Sequence, residues 1–67
     1  MSSRHTQSDK QQIAAQLKNY RRGKKMTQEE LARMLATSVF SVNRWETEKH
    51  HPNSSVIKLM RMLKVLR

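Results

Sequence analysis

Apolar residues recur at the three- and four-residue spacing of amphipathic helices, and the first such stripe consists of Ile13, Leu17 and Tyr20. Ser8-Asp9-Lys10-Gln11 fits a capping box, which predicts a helix start near Ser8 or Asp9. Gly23 follows a basic turn and is expected to end this helix. The pattern predicts a disordered polar tail over residues 1–8 and a folded domain over residues 9–67.

Two shorter helices are predicted next, with almost nothing between them. Thr27-Gln28-Glu29-Glu30 is a capping box with two acids in the first turn. The buried face expected of this second helix consists of Leu31, Ala32, Met34 and Leu35. The third helix should start at Ser38 and carry Val39, Val42 and Trp45 on one side. Only Ala36 and Thr37 separate the two helices, so a tight turn is expected between them.

A fourth helix is predicted to begin around Asn53, just after Pro52. The apolar stripe expected to face the core consists of Val56, Leu59, Met60, Leu63 and Leu66. Glycine and proline occur once each, which argues against hairpins and for helices joined by short turns. The fold class predicted from the pattern is therefore all-α, with four helices.

The net charge indicates which class of partner the chain binds. The chain has 67 residues with 14 Lys and Arg against five Asp and Glu, a net charge of +9. Such an excess on one small domain indicates a polyanion, either nucleic acid or an anionic membrane surface. Cysteine is absent, which leaves the redox compartment undecided. No apolar run is long enough to span a bilayer, and the N-terminal residues do not resemble a signal peptide. We therefore expect a cytoplasmic protein.

Two segments within the central region carry a resemblance to a known family. Met26-Thr27-Gln28-Glu29-Glu30-Leu31-Ala32 and Val42-Asn43-Arg44-Trp45-Glu46, followed by Pro52 and Leu59, match it in order and spacing. The chain resembles the lambda-repressor/Cro-like (XRE) helix-turn-helix family over about residues 10–65. The resemblance implies a compact four-helix domain, with the helix-turn-helix at about residues 28–47, that binds double-stranded DNA.

Two positions depart from the family pattern. The family usually has glycine at the position of Ala36, where the turn requires a left-handed backbone, and alanine at positive φ costs roughly 1 kcal/mol. The family also favours glycine at the position of Glu48. The loop from Thr47 to Pro52 is therefore expected to follow a different course.

The outer face of the third helix should read DNA. With Val42 facing the core, Phe40, Arg44 and Thr47 fall on the opposite side, flanked by Ser41 and Asn43. Arg44 is suited to a bidentate pair with guanine. Phe40 would either contact a thymine methyl group or fold back over the second helix. Val39 could face the groove or the core equally well.

Other expected contacts follow from position along the chain or from the resemblance. The resemblance implies that Gln28 contacts the DNA backbone and that Arg21 pairs with Glu46 as a structural ion pair. Thr27 and Ser38 would cap helices, contact phosphate, or do both, with capping favoured. Basic residues expected near phosphates are Arg22, Lys24, Lys25, Lys49 and His50.

Catalysis, metals and cofactors are not expected. His50 and His51 are adjacent and cannot both point inward, and neither they nor His5 are joined by a set of further ligands. Serine, histidine and aspartate do not occur in a triad spacing. Met60 and Met62 are expected to fill the core.

The sequence therefore predicts a transcriptional repressor that binds DNA sequence-specifically. One alternative is an antitoxin that uses the same fold to repress its own operon and to bind a toxin. Another alternative is a cationic peptide that binds membranes, which would be helical only when lipid is present. A weak homodimer on an inverted-repeat operator is expected, with Val65, Met62 and Ile57 as the apolar residues left over for its seam.

Overall fold

The computed structural model describes residues 3–66 and comprises four helices in that range. Helix α1 spans Ser3–Gly23, α2 spans Gln28–Met34, α3 spans Val39–Glu46 and α4 spans Ser54–Met62. No strand occurs among these residues, which confirms the all-α prediction. None of the helices is long and apolar enough to cross a membrane in the part of the chain that is described.

Three of the four predicted helix starts are confirmed. Thr27 caps α2 through a complete capping box, in which its hydroxyl accepts from the Glu30 amide at 3.1 Å and the Glu30 carboxylate accepts from the Thr27 amide at 2.8 Å. Ser38 caps α3, and Asn53 caps α4. These starts depend on contacts within four residues, so the local sequence determines them.

The predicted start of α1 is wrong. The helix begins at Ser3, so Ser8 lies within it and residues 3–8, assigned to a disordered tail, extend the helix instead. These residues include neither glycine nor proline, and extending an existing helix costs far less than nucleating one. Met1, Ser2 and Arg67 lie outside the described residues, so the tail prediction is not addressed at Met1 and Ser2.

The core lies where all four helices meet, and α3 packs against both α1 and α2. Leu17, Leu31 and Val42 are fully buried, one from each of these three helices. The remaining core residues are Ile13, Ala32, Leu35, Trp45, Met60, Val65 and Leu66. The position of α3 is thus determined by two neighbouring helices, while its other side remains on the surface.

The end of α4 differs from the sequence prediction. Leu63, expected in the core, is 37% exposed, and Met62 is 77% exposed, whereas Val65 is buried. The helix ends at Met62, and Lys64 has a φ of 63°, so the helical spacing does not continue past this point. The left-handed residue turns Val65 inward, which removes it from the predicted dimer seam.

Candidate nucleic-acid interface

Helix α3 presents its outer face to solvent because its inner face is occupied by the core. Val42, Trp45 and Glu46 are buried, whereas Phe40, Asn43 and Thr47 are exposed. Ser41 and Arg44 are half-buried at the edge of this face. We call the outer face formed by Val39, Phe40, Ser41, Asn43 and Arg44 the recognition face.

The turn between α2 and α3 sets the angle of the recognition face. Leu35 caps α2, and Ala36 follows at a φ of 56°, which confirms the left-handed backbone expected at that position. The Thr37 amide donates to the Ala32 carbonyl at 2.8 Å and the Ala36 amide donates to the Arg33 carbonyl at 3.2 Å. These two bonds form a Schellman motif, which ends α2 and allows α3 to start at once.

Arg21 and Glu46 join α1 to α3 through a bidentate ion pair. Arg21 Nε donates to Glu46 Oε2 at 2.8 Å, and Nη2 donates to Oε1 at 3.0 Å. Arg21 Nη1 also donates to the Met26 carbonyl at 3.2 Å. Glu46 is 4% exposed. The carboxylate is therefore held inside the domain and is directed away from the recognition face.

Electrostatics at this pair favour the charged forms. Burial raises the pKa of Glu46, but hydrogen bonds from Arg21 and Gln28 outweigh burial, so the pKa lies below its ordinary value. The hydrogen bond to Glu46 raises the pKa of Arg21 above its ordinary value. Both groups therefore stay ionised at neutral pH.

Gln28 belongs to the same cluster, which the sequence did not indicate. Its side-chain amide donates to Glu46 Oε1 at 3.0 Å, so α1, α2 and α3 meet at one carboxylate. Eighteen residues separate the two positions, and no local spacing signals such a contact. Gln28 keeps a second amide hydrogen, so this bond is compatible with a contact to DNA.

Hydroxyl groups near the recognition face already form hydrogen bonds within the domain. Ser38 Oγ accepts from the Ser41 amide and donates to Ser41 Oγ, both at 3.1 Å. Thr47 Oγ1 donates to the Asn43 carbonyl at 2.8 Å. Asn43 and Lys49 are exposed. Amide and ammonium groups at these two positions therefore remain accessible to a partner.

Phe40 and Arg44 lie together on α3. Phe40 is 64% exposed, and the Arg44 guanidinium carbon lies 4.8 Å from the centre of its ring. Arg44 Nε is buried and has no hydrogen-bond partner among the described residues. The four-residue spacing, which places two side chains on the same side of a helix, could have indicated this pair from the sequence.

A family model described as helix-turn-helix matches residues 17–65, which is most of the chain. The matched range includes α2, α3, α4 and the part of α1 that carries Arg21. Comparisons with curated proteins and with solved structures gave no match.

Proposed function

The chain belongs to the lambda-repressor-like (XRE) helix-turn-helix family, a family of DNA-binding transcription regulators, and from that membership we propose that it binds double-stranded DNA sequence-specifically as a repressor. The observation that carries this proposal is the exposed recognition face of α3, whose position is set by α1 and α2. An α-helix with such a face fits the major groove, where base edges differ among all four base pairs.

We assign base reading to the recognition face and backbone contacts to its surroundings. Arg44 and Asn43 carry donors suited to base edges. Val39, Phe40 and Ser41 would lie against the groove wall or the bases. Phosphates pass beside the ends of a helix that lies in the groove. The residues at the ends of α2 and α3 that we assign to them are Gln28, Ser38, Thr47 and Lys49. The net charge of +9 would favour approach to DNA of any sequence.

The structural role that we assign to Arg21 and Glu46 is orientation. The carboxylate is buried and bonded to two helices, so it is unsuited to contact DNA. Holding α3 against α1 and α2 would keep the recognition face at one angle, which lowers the ordering cost of binding.

Selection of bound duplexes from a random pool tests the proposal. Repeated selection with the full chain should enrich one motif, and the enriched duplex should bind more tightly than a scrambled duplex of equal composition. Specific sites typically bind about 10³-fold or more tightly than random DNA. Equal binding of both duplexes at moderate salt would overturn sequence-specific recognition. The antitoxin alternative predicts, in addition, that a toxin encoded by a neighbouring gene copurifies with the chain.

A further inference from the structure

Phe40 and Arg44 form a unit that is joined before any partner arrives. The ring is 64% exposed, which is unusual for a large apolar side chain, and one of its faces is covered by the Arg44 guanidinium at 4.8 Å. Such a cation–π contact restricts the arginine, because stacking removes alternative rotamers. The remaining surface of the ring lies on the recognition face.

Burial of one Arg44 nitrogen determines which edge of the guanidinium is available. Nε is buried without a partner among the described residues, so it cannot reach a base. The two terminal nitrogens are not buried and form no hydrogen bond within the described part of the chain. They remain free to donate together to the O6 and N7 acceptors of one guanine.

The distance between the two groups restricts what they can read jointly. Neighbouring base pairs are about 3.4 Å apart along the helix axis, and pairs two steps apart are separated by about 7 Å. The ring and the guanidinium are 4.8 Å apart. This distance is nearer to one base-pair step than to two, so a Phe40 ring stacked on an Arg44 that bonds to a guanine would lie closest to the adjoining base pair. The apolar group that a base pair offers in the major groove is the C5-methyl of a pyrimidine.

We infer that Phe40 and Arg44 act as one reading unit that selects a guanine next to a base pair carrying a C5-methylated pyrimidine. Thymine and 5-methylcytosine share this methyl group, so the unit accepts either and disfavours unmethylated cytosine. Methylation of a cytosine beside the guanine would then increase binding. This inference rests on the proposed function, and it adds the chemical group that the recognition face requires.

The test changes one methyl group at a time on the DNA. The site enriched by selection is prepared with thymine, deoxyuridine, cytosine or 5-methylcytosine beside the guanine. Thymine should bind about fourfold more tightly than deoxyuridine, and 5-methylcytosine about fourfold more tightly than cytosine, the effect of burying one methyl group. Replacing the guanine by 7-deazaguanine should weaken binding about tenfold, because one hydrogen bond to a charged donor is lost.

Two variants link these effects to the unit. We call the affinity for thymine over that for deoxyuridine, and the affinity for 5-methylcytosine over that for cytosine, the methyl ratios. Phe40→Ala should bring both methyl ratios to about one, and Arg44→Ala should remove the effect of 7-deazaguanine. Lys49→Ala is the control, since it should weaken all of these duplexes alike and keep every ratio. Thermal unfolding of each variant establishes that it is folded.

The outcomes separate this inference from the proposed function. An enriched motif without a guanine beside a thymine, or equal binding of thymine and deoxyuridine by a sequence-specific protein, would overturn the reading unit and leave DNA recognition intact. Methyl ratios that persist in Phe40→Ala would overturn it as well. Failure to enrich any motif would instead overturn the proposed function.

Discussion

Four residues between positions 3 and 66 adopt a left-handed backbone although none is glycine. Lys25, Ala36, Glu48 and Lys64 have φ values between 56° and 65°, and each lies just after a helix. Each helix ends in a Schellman motif, which normally uses glycine at this position. Gly23 is the last residue of α1, as predicted, but the left-handed position after this helix is occupied by Lys25. Replacing these left-handed residues by glycine should therefore relieve backbone strain.

Relief of that strain at Ala36 is a direct test. Ala36→Gly should raise the free energy of unfolding by about 0.5–1 kcal/mol, because a non-glycine residue is unfavourable in the left-handed region. For a domain of this size, the melting temperature should rise by about 3–6 °C. Thermal unfolding, monitored by circular dichroism, measures this change in melting temperature.

The matched control is Ala15→Gly, an exposed position inside α1. There the same exchange should lower stability by about 0.5–1 kcal/mol, since glycine disfavours a helix interior. If both variants shift the melting temperature in the same direction, the backbone at Ala36 is not left-handed in solution.

Helix α3 is joined to α1 by a contact between residues that are distant in sequence, the Arg21–Glu46 ion pair. Glu46→Gln would leave the Arg21 cation, whose side chain is 20% exposed, without its counter-charge. Breaking a buried ion pair costs about 3–5 kcal/mol, and the partial exposure of Arg21 favours the lower end. Chemical denaturation should show this loss, whereas Glu29→Gln at an exposed position should change stability by less than about 0.5 kcal/mol.

The same pair predicts how stability depends on pH. The pKa of Glu46 is lower in the folded protein than in the unfolded chain, so the unfolded state takes up a proton first on acidification. The stabilisation is complete above the ordinary glutamate pKa of about 4.3 and is lost as pH falls through the folded value. Unfolding measured between neutral and acidic pH should show this loss in the parent chain and a smaller loss in Glu46→Gln. Parallel curves for the two proteins would contradict it.

Element starts were predictable from sequence where the stabilising contact is local. Thr27, Ser38 and Asn53 each bond to an amide three residues on, and the sequence shows both partners. The end of α4 was not predictable from helical spacing, because Lys64 changes the direction of the chain. At the interface, Phe40, Asn43 and Arg44 follow from the periodicity of α3. The Gln28–Glu46 bond depends on tertiary packing and has no local signal.

For the whole molecule, charge predicts how binding responds to salt. A chain with a net charge of +9 that neutralises several phosphates releases counterions, so the logarithm of the affinity should fall steeply and linearly with the logarithm of salt concentration. Lys24→Ala or Lys25→Ala should weaken every duplex alike and reduce the slope by up to about one unit. Fluorescence anisotropy across a salt series measures both quantities. A slope near zero for the parent chain would contradict a phosphate-based interface.

Assembly on DNA should depend on the apolar surface left at the end of α4. One recognition helix reads only a few base pairs, so two copies on an inverted repeat would provide the missing specificity, with half-site centres about 10–10.5 bp apart. The described residues offer only Met62 and Leu63 at this end as exposed large hydrophobics, 77% and 37% exposed. This patch is small, so the free chain should sediment as a monomer and the complex should contain two copies.

Met62→Lys tests whether this patch holds the two copies together. The variant should lose cooperative binding to the full operator, because a charge would be placed in the contact between the copies. Its affinity for a duplex carrying one half-site should be preserved, since Met62 is the last residue of α4 and does not belong to the recognition face. Analytical ultracentrifugation of the free chain and of the complex measures the stoichiometry. One copy per operator, on a site without inverted symmetry, would show that the chain acts alone.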